Sequence, residues 1–280
     1  RAMSPRLQRC AVAAALIWVL TGISATVGAS EFSVIDQGSI EIGIGASDLG
    51  GNVAVDGSAG TLGTEIDLDR DLDLAGRDRS RLFALRWQPW ERHGFGLRAQ
   101  RFGRSANQVI QRDIVFDDEL FAVNSRVSGT IELDLLSFSY TGWLLASDQR
   151  AFGLSAGALQ YRLRLDLAAT NLPGGAQPMP VSAEVSEELP VLVLGAEYRE
   201  ALSERVRLVL RAAVFKASLN DIDGTVYDLE AGLELALTPN WVLAARYSGT
   251  RLDADTDRED LSGRLRLDLS GAQAALIWRW

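Results

Sequence analysis

The chain is poor in the residues that most often carry covalent or metal chemistry. Its 280 residues include one cysteine, Cys10, and one histidine, His93. A lone cysteine excludes an internal disulfide, and any histidine-based catalysis would have to use His93. Lysine is confined to Lys216; every other basic residue is arginine. After residue 29 no apolar run approaches the roughly 18 residues that a membrane helix needs. Basic residues, 28 in all, are outnumbered by 37 acids. That balance argues against nucleic acid as a partner, because phosphate binding needs a basic surface.

What is present begins with an export pattern. Arg6 and Arg9 precede the apolar run Ala11–Leu20, and Val27 and Ala29 provide the small residues of a cleavage site. About ten apolar residues are too few to span a bilayer, so residues 1–29 are expected to be a signal peptide and 30–280 the mature domain. Cys10 precedes the apolar run, the wrong side for lipid attachment. Removing 1–29 leaves 25 basic residues against 37 acids, a net charge of −12.

The rest of the chain alternates. Ten segments carry apolar residues at every second position, a strand signature with one oily and one polar face. They run about 39–48, 81–90, 93–103, 127–145, 151–168, 189–200, 205–218, 225–237, 241–252 and 264–280. In the fourth, Ile131, Leu133 and Leu135 give way to Leu136, Phe138 and Tyr140, which predicts a β-bulge near Leu135–Leu136. The last strand changes parity in the same way near Ser270–Gly271. Four connections are short: 89–92, 146–150, 201–204 and 238–240. Five are longer or more polar: about 50–80, 104–126, 169–188, 219–224 and 253–263. Short periplasmic turns alternating with long external loops characterise outer-membrane barrels. Trp87, Trp90, Trp143, Trp241, Trp278 and Trp280 all fall near short turns or the C-terminal end, which predicts an aromatic belt on the periplasmic side.

The expected fold is therefore all-β: a transmembrane antiparallel up-and-down β-barrel of about ten strands, with eight or twelve as alternatives. Its charged face would line the lumen, with Glu41, Arg86, Arg98, Glu132, Asp134, Arg162, Arg164, Asp166, Arg199, Arg207, Arg211, Asp228, Glu230, Glu234, Arg246 and Arg266. In so narrow a ring the two signs should pair. This predicts a salt-bridged, largely plugged interior, against a wide porin. It also speaks against an oily tunnel, because no strand offers a run of inward aliphatics under this assignment.

Two loops stand out. Gly63–Leu74 alternates Ile66, Leu68, Leu72 and Leu74 with Glu65, Asp67, Asp69, Asp71 and Asp73, and reads as a strand extension or as a hairpin folded over or into the barrel. Extended carboxylates stand about 6.5–7 Å apart in a line, unlike a calcium loop, which must curl around its ion; no metal or other cofactor is expected. Asp253, Asp255, Asp257, Glu259 and Asp260 read as solvated loop charge, or as a bridge to lipopolysaccharide through divalent cations. His93 adjoins a short turn, so a turn or interface role is expected and no catalytic residue is assigned.

The signal segment, the alternating strands, the turn asymmetry and the terminal Leu276–Trp280 together resemble the small outer-membrane β-barrel proteins of Gram-negative bacteria, in the broad sense of the OmpA- and OmpW-like barrels. The resemblance covers the whole mature chain. It implies outer-membrane lipids and lipopolysaccharide as surroundings, and a barrel-assembly machinery that reads Leu276, Trp278 and Trp280 as its signal. It implies no particular activity, since one scaffold serves many roles. The expectation at this stage is a non-enzymatic surface-interaction barrel working through its external loops, with a narrow channel for small hydrophilic solutes as the alternative. Oligomeric state is left open.

Overall fold

The computed structural model describes residues 33–56, 63–74, 76–116, 119–171, 179–219, 222–257 and 262–280. The expected signal peptide at 1–29 lies outside them. Ten long strands follow one another: β1 (Gly38–Val55), β2 (Gly76–Trp90), β3 (His93–Val109), β4 (Arg126–Ala146), β5 (Arg150–Asn171), β6 (Met179–Ala201), β7 (Val206–Leu219), β8 (Ile222–Ala236), β9 (Trp241–Asp257) and β10 (Ser262–Arg279). Each pairs antiparallel with its neighbours in sequence. β1 then pairs with β10 from Ser39↔Arg279 to Val55↔Gly263, which closes the sheet into a barrel. The closure is sealed where Trp280 N–H donates to Gly38 O at 3.1 Å and Gly38 N–H donates to Trp280 O at 3.2 Å. In the short-turn half every strand is paired on both sides, the condition for a sheet to sit in lipid; towards the loops β6 and β7 part beyond Leu194↔Val214, and β2 and β3 beyond Ser80↔Phe102.

The strands are longer than a bilayer requires. A membrane strand needs about 9–11 residues, whereas β4, β5 and β6 have 21, 22 and 23. The surplus projects at the loop end, and there the faces exchange character. Along β4 the inward positions are Thr141, Ser139 and Ser137 near the short turns, then Leu135, Leu133, Ile131 and Val127. The outward positions are Tyr140, Phe138 and Leu136, then Asp134 and Glu132. Parity never changes; the surroundings do. No bulge lies at Leu135–Leu136, because pairing runs unbroken through Gln100↔Leu135 and Ala99↔Leu136 on one side and through Leu135↔Tyr161 and Leu136↔Gln160 on the other. Ser270–Gly271 is equally regular against both neighbours. Register shifts occur instead at Trp87/Trp90 and Trp143/Leu145, beside short turns.

The outer wall of the short-turn half is an apolar band. Ile42, Ile44, Phe83, Leu136, Phe138, Leu194, Leu229, Leu243 and Leu276 are exposed on it, and Leu192 leaves 76% of its surface uncovered. Soluble domains rarely leave such a contiguous patch in water. Trp87, Trp90, Trp241, Trp278 and Trp280 ring its short-turn edge, all exposed. Trp143 does not join them: it faces inward, 4% exposed, on the same parity as Ser137, Ser139 and Thr141, and the register shift follows it.

The loop-end half has the opposite arrangement. Its interior is an apolar core drawn from nine of the ten strands and from the loops, including Val53, Phe102, Ile131, Leu133, Leu165, Leu167, Phe215 and Leu267. Inward aliphatics are therefore abundant, contrary to the sequence reading. They were assigned there to the lipid face because the wrong half of the strand set the parity. Residues 63–74 fold down into this core. Ile66–Asp67 pairs with Asn52 and Val53 of β1, and Ile66, Leu68, Leu72 and Leu74 are each at most 1% exposed. The hairpin of Ile114–Phe116 and Glu119–Phe121 adds Ile114, Phe116 and Phe121.

Candidate functional site

The interior of the short-turn half holds most of the buried ionic groups among the described residues. Its local cause is the strict two-residue period: Glu41 on β1, Glu197 and Arg199 on β6, Arg207 and Arg211 on β7, Glu230 and Glu234 on β8, Arg246 on β9 and Arg279 on β10 all fall on inward positions. Arg207 is almost wholly buried. It donates to Glu234 at 2.5 Å, to Asp36 at 2.8 Å and to the carbonyls of Ser33 and Val34 at 2.7 and 3.0 Å. Arg246 bridges Glu234, at 3.0 Å, and Glu41. Arg211 links Glu230 to Glu197, the latter at 3.3 Å, and Arg98 of β3 donates to Glu230 at 2.9 Å. Arg199 holds Glu197 at 2.7 Å, and Arg279 reaches Asp36 at 3.0 Å.

Charges taken out of water are tolerated only when paired and hydrogen-bonded. Here they share partners around a continuous network, so removal of one member leaves two others uncompensated. The segment 33–37 completes it as a stopper at the short-turn mouth. Val34 packs with Trp143, Ala151 and Ala201, and the Arg199 guanidinium lies 5.1 Å from the Trp143 ring centre.

Of the sixteen lumen charges expected from the sequence, ten face inward: Glu41, Arg86, Arg98, Arg199, Arg207, Arg211, Asp228, Glu230, Glu234 and Arg246. The other six, Glu132, Asp134, Arg162, Arg164, Asp166 and Arg266, face outward on the loop-end half. They form cross-strand ladders on the outer wall, the sheet's usual way of pairing opposite charges. Arg101 meets Asp134 at 2.6 Å, Arg266 meets Asp253 at 2.5 Å, and Glu132 sits opposite Arg164. Sequence reasoning also missed Asp36, Glu197 and Arg279. Glu197 and Arg279 were legible from the inward parity of Arg199 and Ile277; Asp36 lies before the first strand and carries no periodic signal.

The interior is not evenly filled. Long charged side chains project from β7, β8, β9 and β1. On the opposite wall the inward residues are small: Gly94 and Gly96 of β3, Ser137, Ser139 and Thr141 of β4, and Ser155 and Gly157 of β5. A cavity of about 230 Å³ results at mid-height, between the ionic network and the apolar core.

At the loop end Asp71 is the polar clamp over the core. Arg112 donates to it at 2.5 Å, Arg70 at 3.2 Å and the Asp67 backbone N–H at 3.0 Å. Burial pushes the Asp71 carboxyl up, but these hydrogen bonds outweigh it and hold the group at about 2, below its usual 3.8. Asp67 in turn accepts from the backbone N–H groups of Asp69 and Arg70. At the other end His93 and the Tyr140 hydroxyl are 2.5 Å apart.

No family model and no characterised protein matches the chain by sequence. Solved structures do match. The outer-membrane protease OmpT from Escherichia coli aligns at a TM-score of 0.59 and 12% identity, over 87% of this chain and 96% of that one. The translocator domain of the autotransporter NalP from Neisseria meningitidis aligns at 0.44 and 12%, over 98% and 96%. The first score speaks to the fold; the second is too low to do so. The expectation that the chain is not an enzyme falls with the first. That expectation rested on the one histidine, His93, lying beside a short turn and away from the loop end, and a barrel of this architecture carries proteolysis in that protein. Catalysis resides in side chains grafted on a scaffold, and at 12% identity the likeness brings none of them to this chain. What it does bring is architecture: the chain has the fold of a bacterial outer-membrane β-barrel.

Proposed function

We propose that the chain is a closed barrel of the outer membrane that works through its loop-end surface and does not conduct. The observation that carries this reading is that the lumen is filled twice, by different means. Near the short turns the ionic network and the segment 33–37 occupy it. Towards the loops an apolar core occupies it, with Leu68 and Leu74 at its centre. An ion crossing the barrel would have to break the first and lose its hydration in the second.

On this reading the short turns face the periplasm and the long loops the exterior, residues 1–29 serve export, and Leu276, Trp278 and Trp280, outward on the closing strand, serve assembly. The charged ladders on the outer wall stand above the apolar band, level with lipid headgroups, where lipopolysaccharide is the first partner they meet.

Single-channel recording in a planar bilayer tests the reading, on refolded protein whose heat-induced gel shift reports a folded barrel. Silence is expected. Discrete, reproducible openings would replace the closed barrel with a narrow channel.

A further inference from the structure

The mid-barrel cavity has a lining that the closed-barrel reading does not use. Every other inward arginine of the network holds at least one carboxylate in a hydrogen bond or close ion pair. Arg86 does not: among the described residues its one ion contact is to Glu197 at 3.8 Å, and it makes no hydrogen bond. Arg98 stands beside it on the neighbouring strand, since Arg86 pairs with Gly96 and Ala84 with Arg98. Arg98 spends a single nitrogen on Glu230. Both guanidinium groups open onto the cavity, with a quarter or more of each side chain uncovered there.

A second unpartnered group lines the same space. Tyr161 is 3% exposed, and its hydroxyl makes no hydrogen bond among the described residues. Leu135, Leu159, Val193, Phe215 and Leu269 supply an apolar wall.

We propose that this cavity binds a small organic monoanion, a carboxylate with a short apolar body, through Arg86 and Arg98. Paired guanidinium forks suit the two oxygens of a carboxylate, and the apolar wall takes the body. At about 230 Å³ the space is below the roughly 300–1,000 Å³ of sites for drug-sized ligands, which limits the guest to a small molecule. Glu197, Glu230 and Asp228 also face the cavity. The first two are held by Arg211, and Asp228 accepts from the Thr250 hydroxyl at 2.6 Å. Their nearness disfavours a dianion such as phosphate. A smaller cavity of about 50 Å³ shares Arg86, Gly96, Ser139 and Thr141 and continues towards the short turns past Ser39 and Gln88.

The test uses 4-fluorobenzoate as probe, followed by fluorine NMR with the full chain refolded in detergent, and neutral 4-fluorobenzamide as the control for micelle partitioning. Saturable binding of the benzoate alone is expected. It should weaken at least about tenfold, the equivalent of one lost charged hydrogen bond, in Arg86→Gln and in Arg98→Gln. Arg86 supports no close pair, so R86Q should keep the heat-induced gel shift; Arg86→Lys, which keeps the charge, should retain binding in part. Absence of binding to folded wild type would overturn the proposal. So would equal binding of the amide, or affinity unchanged in folded R86Q. Conductance does not enter this readout, so the failure of either proposal leaves the other standing.

Discussion

Below the level of Leu135 the barrel is polar within and apolar without; above it, the same strands are apolar within and charged without. Both halves obey one alternation, and the pairing passes through the boundary without a shift. The difference teaches that strand polarity reports the medium on each side. In the lower half lipid lies outside, and the confined interior must satisfy ten or more charges by pairing. In the upper half water lies outside, and the interior can be closed as a soluble protein closes its core. A reader of the sequence who assumes a single medium along the strand must invent a bulge where the medium changes.

The two halves should fail differently. The largest effect is expected in the ionic half. Glu234→Ala leaves Arg207 and Arg246 buried without their shared carboxylate, and should cost about 3–5 kcal/mol in the urea midpoint of the refolded barrel. In the apolar half Leu68→Ala should cost about 2–5 kcal/mol of local stability. Hydrogen exchange should then accelerate at Val53, Ile131 and Leu165 while the strands around Glu41 and Arg246 stay protected. Loss of protection in both halves together would show one cooperative unit and weaken the comparison.

Two smaller effects sharpen it. Asp71 is held at about 2, so its contribution to loop closure is complete above its unfolded value near 3.8 and is lost as pH falls towards 2. Asp71→Asn should cost about 1.5 kcal/mol at neutral pH, the usual scale for a hydrogen bond to a charged group, and should flatten that acid dependence in exchange measurements on residues 63–74. On the outer wall Arg266→Ala breaks an exposed pair and should cost under about 1 kcal/mol, a difference that fades in high salt.

Strand number, order and direction were legible because a closed barrel in lipid leaves the backbone few options and the two-residue period marks each strand. The ten charges that meet inside were legible for the same reason. The six misplaced ones lie where strands outrun the membrane. A signal existed: the fourth and fifth strands already read as 19 and 18 residues, far beyond the 9–11 that a bilayer takes. The apparent parity changes at Leu135–Leu136 and Ser270–Gly271 marked the crossing. Trp143 misled because its nearness to a short turn placed it in the belt, whereas its parity, shared with Ser139 and Thr141, turns it inward. The burial of Leu68 and Leu72 was legible only as one of the readings of Gly63–Leu74, since whether a loop folds inward depends on the apolar interior that receives it. The cavity beside Arg86 depends on small residues from three strands meeting at one height, which a linear pattern does not display.

The change of medium along an unbroken strand is tested most directly by a single-cysteine scan of β4 in a Cys10→Ser background, with a fluorescent label placed in turn at Glu132, Asp134, Phe138 and Tyr140. Refolded into vesicles, labels at 132 and 134 should be quenched by an aqueous agent, and labels at 138 and 140 by brominated lipid tails. Lipid quenching at all four positions, or aqueous access at 138 and 140, would contradict it.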